Sequence, residues 1–567
     1  MNSSSQNMQQ PASSPAVGAV DVDDAQARQG SGLELSRAAL RGFRWAWTAW
    51  MVVATSLPYL WNFLFRPAGY RYAWILPPFR DDSYGYMAWS QQAAHGALLF
   101  KLKFTALPQA AFLFQPFFLL CGWESRLTGA NPGVVHFVAK EIGVVLFFLL
   151  FYRYNDYLRL SAFQSLAASV LVGISSGVGG ALAMLFGVHE PPNISADLWM
   201  PEVSTYWSML WNPLFPYSLA LMLLTIYWLD RGTRDARPRD LWLAGLSAGL
   251  LALIHPYSQP LLLALAVIVI VARQRRNALA YGLRYLLSLA PFAAYVAAVS
   301  VLQPVVLQHS AKGAMDSPSL LLYLTGFGLP LLIWLLGFAV DGGRWMKRYW
   351  QLIAWFGLSL ALAYAPIWFQ RKLILGAHIP LCILAAIAFD LLLAKCATSI
   401  TAKLSLVLAS VILIPMLALT PVYVIVMLNR EVRANVDGAY YISRDMDAAL
   451  QHLKQHSRPD DVVLATLGTS LLLPAYAGNT VVWGHWAMSV DADEREAWSQ
   501  DLFERRQNWD DPQRARDFWG SGVKYIFADG ILKQGIEGSP YKWRVILNDA
   551  DEVFRNRAVV IYKQRTP

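Results

Sequence analysis

The sequence predicts a polytopic α-helical membrane protein of about eleven spans, followed by a C-terminal soluble α/β domain. Three observations carry that prediction. The 567 residues are 56% hydrophobic and 15% charged, where soluble domains run near ~25% charged. Apolar stretches recur from Phe43 to Leu428, and nearly every basic loop between them falls on one side when the spans alternate. Beyond Asn429 the composition turns soluble, and β-rich runs alternate with amphipathic ones. The net charge of +9 follows from the basic loops, so no nucleic-acid partner is expected. The 23 Trp suit interfacial belts. Cys121, Cys382 and Cys396 are too few and too scattered for a disulfide framework or a thiolate metal site.

Residues 1–36 are rich in Ser, Gln, Ala and Asp and read as a disordered cytoplasmic tail. No apolar core follows a basic start there, so they do not read as a signal peptide. The membrane domain covers 37–428. Arg37, Arg41 and Arg44 precede the first span, Phe43 to Phe65, and place the N-terminus inside. A long first outer loop, 66–133, follows. Within it Leu107 to Gly122 is apolar but broken by Pro108 and Pro116. It reads as a re-entrant or interfacial helix, because counting it as a span would move later basic loops to the wrong side.

Val134 to Tyr152 then crosses inward, Ala162 to Leu185 outward and Leu210 to Leu229 inward, ending at Arg231, Arg234, Arg237 and Arg239. Leu241 to Ile254 and Gln259 to Val271 are short and flank His255-Pro256-Tyr257 on the outer side. Leu279 to Leu302, Leu320 to Val340, Leu352 to Trp368, Ile379 to Leu393 and Leu404 to Leu428 complete the bundle. Several of these fall short of the ~20 residues of a straight crossing, as broken helices around a polar site would. In 429–567, helices are expected at Asp445 to His456, Leu471 to Ala477, Asp493 to Arg506 and Asp511 to Trp519. Strands are expected at Asp461 to Ala465, Thr480 to Trp483, Lys524 to Phe527 and Ala558 to Tyr562, in a partly parallel sheet.

Four constellations on the outer side carry candidate chemistry. Asp81 and Asp82 open an amphipathic helix that continues through Tyr84 and Tyr86. One Asp suffices to cap a helix, and two adjacent carboxylates repel, so the pair suits general-base activation of an acceptor hydroxyl or amine. Asp197 to Glu202, preceded by His189 and Glu190, forms an acidic outer loop without Lys or Arg. It is either a solvated loop or one neutralised by a cation or an arginine across the cavity. Arg371 and Lys372 sit against the charge pattern on the outer side and suit a phosphate or an anionic headgroup, with His378, seven residues on, expected two helical turns away on the same face. His255 is presented at a helix end by Pro256, as a structural or a functional histidine. In the soluble domain, Trp483-Gly484-His485-Trp486 is like a sugar-stacking surface, and His485 joins the candidate binding residues.

In this order the motifs resemble the GT-C superfamily of integral-membrane glycosyltransferases. It includes the protein O-mannosyltransferases, the aminoarabinose transferases and a large uncharacterised bacterial branch. The matching pieces are Asp81 to Tyr86 with Gln91 and Gly96, Phe104 to Gln109, Asp197 to Glu202 with Asn212-Pro213, His255-Pro256-Tyr257, and Arg371-Lys372 with Gly376 and Pro380. The resemblance implies an inverting transferase of the bacterial inner membrane. It would move a sugar from a polyprenyl-phosphate carrier to a glycan, lipid or protein acceptor on the periplasmic face, where the C-terminal domain also lies. Asp81 or Asp82 would be the base, with Asp81 preferred. Tyr84, Tyr86, Asp197, Glu202, His255, Arg371, Lys372, His378 and His485 would bind substrates. No obligatory cofactor is implied, with room left for a divalent cation, Mg2+ or Mn2+. The family often has Asp-Glu where this chain has Asp-Asp. No Trp-Trp-Asp-Tyr-Gly type signature is present, which speaks against N-glycosylation of proteins. The competing class is a polysaccharide polymerase, flippase or transporter of lipid-linked glycans. A transporter would show repeats of its spans, and none is evident.

Overall fold

Thr48, Met51, Thr55, Ser56 and Tyr59 recur at helical spacing and form the buried face of the first helix, Arg37–Leu64. Ser36 caps it by accepting from Ala39 N, and Trp45, Val53 and Leu57 face outward. The computed structural model describes residues 36–187, 194–303, 306, 315–396, 400–436, 440–490, 492–504, 512–538 and 540–565. The expected N-terminal tail up to residue 35, and His189 and Glu190, lie outside the described residues.

The chain is a polytopic helical membrane protein, and most of its apolar helices stand where the sequence places them, though the expected span Leu210 to Leu229 breaks at Asn212-Pro213 and that of Leu352 to Trp368 is helical only to Leu362. Pro132–Tyr157 starts with Asn131 as cap and Pro132 in the first turn. Ser161 and Gln164 close a capping box on Ala162–Ile174, which bends by 44° into Gly179–Phe186. Leu214–Arg234, Asp240–Ile254, Gln259–Gln274, Ala278–Leu302, Leu320–Asp341, Trp350–Leu362, His378–Cys396 and Ile400–Ala434 complete the bundle. By length and hydropathy alone, 5 of the helical stretches among the described residues are able to cross a membrane, or 6 with the bent pair. The remaining helices of the expected set are shorter or more polar, and they pack against neighbours. Gly245 and Gly249 let Asp240–Ile254 lie so close to Tyr285, Ser288 and Phe292 that a Cβ at either position would collide.

At the ends with basic loops, ion pairs tie helices together: Arg44 to Asp156, Arg273 to Asp230 and Arg231 to Asp240. The opposite ends carry the long loop 66–131 and the C-terminal domain. In that loop the proline-broken stretch is extended up to Gln115, then helical over Pro116–Thr128. Its 13 residues rise ~20 Å, short of a bilayer core.

The C-terminal domain holds a five-stranded sheet of β3 (Val462–Leu464), β4 (Thr480–Val481), β5 (Val523–Asp529), β6 (Ala550–Arg555) and β7 (Val559–Gln564), in the order β4-β3-β5-β7-β6. β3 pairs in parallel with β4 and β5, while β7 is antiparallel to β5 and β6. The expected strands are present. Strand β6 and the helices Gly530–Gly538 and Pro540–Leu547 were not anticipated. The change to soluble composition at Asn429 falls inside the last helix, which runs to Ala434.

The first loop and this domain are joined in space. β1 (Tyr70–Tyr72) pairs antiparallel with β2 (Tyr441–Ser443). Lys103, buried, donates to Pro459 O at 2.7 Å, Asp460 Oδ1 at 2.9 Å and Thr480 Oγ1 at 3.3 Å. Tyr72, Tyr84 and Met87 share one core with Tyr441, Leu472 and Tyr476.

Candidate active site

Asp81 and Asp82 occupy the first turn of the Arg80–Ala94 helix. Phe79, the preceding residue, makes no side-chain cap, so the two carboxylates sit where free N–H groups and the helix dipole favour negative charge. Asp81 Oδ1 accepts from Arg80 Nε at 2.9 Å. Both carboxylates line a cavity of 380 Å³ together with Arg80, Glu431, Tyr440 and Trp486. Glu431 comes from the end of the last helix and Trp486 from the loop after β4, so three distant parts of the chain build this cavity.

Asp82 faces His485, whose Nε2 lies 3.5 Å from Asp82 Oδ1. The amides of Ala487 and Met488 donate to His485 Nδ1 at 3.1 and 3.2 Å. Nδ1 is therefore the acceptor and the ring proton of the neutral imidazole sits on Nε2, which is buried without a hydrogen-bond partner among the described residues, on the side of Asp82. Phe104 packs on the ring, with centroids 5.4 Å apart. Gly85 makes the approach feasible, because a Cβ there would lie 2.9 Å from Met488 Cε. His485 is thus a partner of Asp82, while the half-exposed ring beside the cavity is that of Trp486.

A second cluster gathers charge opposite. Lys372 Nζ donates to Glu202 Oε1 at 2.6 Å, and Glu202 is buried. Burial pushes the Glu202 carboxyl up, but Lys372 and Arg371 outweigh it and hold the group below its usual range. The Arg371 guanidinium lies over the Trp199 ring at 5.2 Å. His255 is buried within the fields of Lys372 and Glu202, and its Nδ1 pairs with Ser258 Oγ at 2.9 Å. Glu202 Oε2, Arg371 Nε and His255 Nε2 are buried without hydrogen-bond partners among the described residues. Water or a polar ligand would satisfy these atoms.

Two tyrosines lie between the clusters. The Tyr86 hydroxyl is pushed up by burial and by the neighbouring Asp82 and Glu202 charges, and it accepts from Asn212 Nδ2 at 3.4 Å. Tyr257 lies within the field of Asp82 and packs edge-on to His255, at 5.3 Å. The sequence named His255-Pro256-Tyr257 as a motif, yet the facing role of Tyr257 needed the fold.

Three of the expected binding residues stand elsewhere. Tyr84 is fully buried and edge-on to Tyr476, because its side of the helix faces the C-terminal domain. Asp197 is not in a solvated loop. It is fully buried, accepting from Ser195 Oγ at 2.5 Å and from Ser176 Oγ and Gly179 N at 3.3 Å. His378 does not share a helical face with Arg371. The backbone turns at Gly376, with φ +84°, before its helix begins. Its ring is enclosed, with Nε2 paired to Ser175 Oγ at 3.2 Å and Nδ1 to Thr205 Oγ1 at 3.0 Å. Among the described residues, no three His, Cys, Asp or Glu side chains converge as metal ligands.

No family profile matches the sequence, and no curated protein matches it. Solved structures do resemble it. An arabinofuranosyltransferase from Mycobacteria aligns with TM-score 0.52 at 17% identity, over 95% of this chain and 40% of that one. This chain therefore spans two-fifths of that protein's length. The Archaeoglobus fulgidus oligosaccharyltransferase, in complex with an inhibitory peptide and a dolichol-phosphate, aligns with TM-score 0.48 at 12% identity, over 88% and 71%. The Cupriavidus metallidurans ArnT, bound to undecaprenyl phosphate, aligns with TM-score 0.48 at 14% identity, over 91% and 98%. At these identities the likeness concerns the fold, and the first structure carries it. The chain shares the fold of that arabinofuranosyltransferase over nearly its whole length, a polytopic helical membrane domain joined to a C-terminal α/β domain.

Proposed function

We propose that the protein is a membrane glycosyltransferase that moves a sugar from a polyprenyl-phosphate carrier to an acceptor hydroxyl or amine. The observation that carries this reading is the pairing of a carboxylate cavity with a cationic cluster, bridged by Tyr86 and Tyr257. In the proposed reaction, Asp82 takes the acceptor proton as the acceptor attacks the anomeric carbon. The bond from that carbon to the carrier phosphate breaks, with inversion. Arg371 and Lys372 receive the departing phosphate, whose charge grows as the bond lengthens. Asp82 rather than Asp81 is assigned as the base on placement, because Asp81 is engaged by Arg80 whereas Asp82 faces the tyrosines that border the cationic cluster. Likeness in fold to an arabinofuranosyltransferase is in keeping with this chemistry.

The same reading places the enzyme in the bacterial inner membrane. The N-terminus and basic loops would be cytoplasmic, and both clusters and the C-terminal domain periplasmic. A glycan, a lipid or a protein would serve as acceptor.

Transfer of label from a polyprenyl-phosphate sugar in membranes tests the proposal, with and without a chelator of divalent cations. Asp82→Asn is expected to lose roughly 10²–10⁴-fold in rate, the usual contribution of a general base, and Asp81→Asn much less. Undiminished transfer in both variants would sink the mechanism. No transfer by the wild type from any polyprenyl-phosphate sugar would sink the class.

A further inference from the structure

A second hollow, of 480 Å³, opens where the first helix ends. It is walled by Leu64, by the turn holding Arg66 and Gly69, by Arg71 on β1, and by Arg444 and Asp447 in the first turn of Arg444–His456. It shares no residue with the carboxylate cavity, and none of Glu202, His255, Arg371 and Lys372 lines it.

The chain path explains the gathering of charge. Gly69, at φ +85°, turns the backbone into β1. Pairing of Tyr70 with Ser443 then sets Arg444 against that turn, where its N–H donates to Gly69 O at 3.1 Å. Three guanidinium groups therefore line the hollow with one carboxylate, and that carboxylate is occupied: Asp447 Oδ1 accepts from Arg71 Nη2 at 2.6 Å. Arg71 is held from the other side by the Tyr476 ring, 4.7 Å away, and its Nη1 is buried without a hydrogen-bond partner among the described residues. Arg66 uses one N–H on Phe63 O at 2.7 Å. A guanidinium has five N–H donors in a fork that fits two oxygens of a phosphate, so among the described residues most of this donor capacity is unspent.

The surroundings indicate what carries the anion. Directly below the hollow, Trp61, Leu64 and Phe65 are exposed on the helix, the profile of a membrane interface. Arg433 covers the Trp61 and Phe65 rings at 5.5 and 5.8 Å, adding a cation at the same level. These arginines lie at the ends opposite the basic loops. Donors above an apolar band match a molecule with a phosphate head and a hydrocarbon tail.

We propose that this hollow binds the phosphate of an anionic lipid headgroup. The lipid ties the end of the first helix to β1 and β2, and so steadies the docking of the C-terminal domain. The hollow shares no residue with the carboxylate cavity or the cationic cluster, so the site is independent of the transfer chemistry.

The test is thermal unfolding and native mass spectrometry of the full-length protein in neutral detergent. The probes are phosphatidylglycerol, phosphatidylcholine and inorganic phosphate. Phosphatidylglycerol is expected to raise the unfolding midpoint and remain bound, with little effect from phosphatidylcholine. Arg66→Gln and Arg444→Gln, at exposed positions outside both clusters, are each expected to weaken binding about tenfold. An equal effect of inorganic phosphate would keep the phosphate chemistry and overturn the lipid as its carrier. Phosphatidylglycerol binding unchanged in the double variant, or absent from the wild type, would overturn the site.

Discussion

His485 Nε2 and Asp82 Oδ1 stand 3.5 Å apart, and this contact joins the C-terminal domain to the first loop at the carboxylate pair. The imidazole is locked by two amides, so it holds its N–H toward one carboxylate oxygen and leaves the other for the acceptor. At 3.5 Å the two groups are in contact without a hydrogen bond, and catalytic contacts often tighten only when substrate closes the site. Replacing His485 by Ala is expected to lower kcat roughly tenfold or more while donor KM changes little, because orientation of the base is lost and phosphate binding is not. Steady-state kinetics checks this. A variant changed only in KM would contradict it.

Gly85 permits that contact, and two opposing effects decide what a side chain there would do. Ala in place of Gly within a helix gains about 1 kcal/mol. The new Cβ would meet Met488 Cε at 2.9 Å and Sδ at 3.1 Å, the flexible end of a side chain that can move aside. Gly85→Ala should therefore leave the unfolding midpoint nearly unchanged while reducing transfer through a displaced 485–488 loop. Gly85→Leu brings more volume than Met488 can yield, and a loss of about 1–3 kcal/mol is expected. Denaturation followed beside activity separates the two cases.

The Glu202–Lys372 pair offers a third test. Glu202 is 2% exposed, so Lys372→Met leaves a buried charge without its main partner. The expected cost is about 3–5 kcal/mol. The double change Glu202→Gln with Lys372→Met removes both charges and should recover most of that stability, yet still bind donor poorly. Thermal unfolding of the single and double variants measures the coupling. A double variant as unstable as the single one would remove the ion pair as the cause.

Asp197 predicts a pH effect on stability. Burial raises its carboxyl to about 6, against the hydrogen bonds it accepts. The unfolded group titrates near ~3.9. The folded state therefore holds the proton more tightly, and its stabilising effect is full below pH ~4, declines as pH rises, and is gone above about 6. Up to about 3 kcal/mol lies in that window. Asp197→Asn should flatten the unfolding profile between those pH values. An unchanged slope would place the titration elsewhere.

Much of the bundle was legible because span length, apolar content and basic loops are local properties. Arg231 to Arg239 and Arg273 to Arg276 mark their side of the membrane whatever the helices do elsewhere. Asp81-Asp82 stood out because adjacent carboxylates exceed what one cap needs. Arg371-Lys372 stood out because it broke the charge pattern. Tyr84 and His378 were misplaced for one shared reason: motif spacing assigns a residue to a helix or loop, not to the neighbour it meets. The burial of Asp197 is not legible in its loop because Ser176 and Gly179, which donate to it, precede it on another element.

The sequence by itself determined the class of the protein: a helical membrane bundle, a soluble α/β end, an acidic first loop and a basic late one. These follow from hydropathy and charge summed over short windows. Only the tertiary structure decided which carboxylate faces a partner. His485 is more than four hundred positions from Asp82 in the chain, and its orientation depends on two amides beside it and on a glycine across from it. Only the fold, too, set Glu202 against Lys372 and gathered Arg66, Arg71 and Arg444 around one hollow. Contacts between distant segments arise from packing and strand pairing, and no local window of sequence contains them.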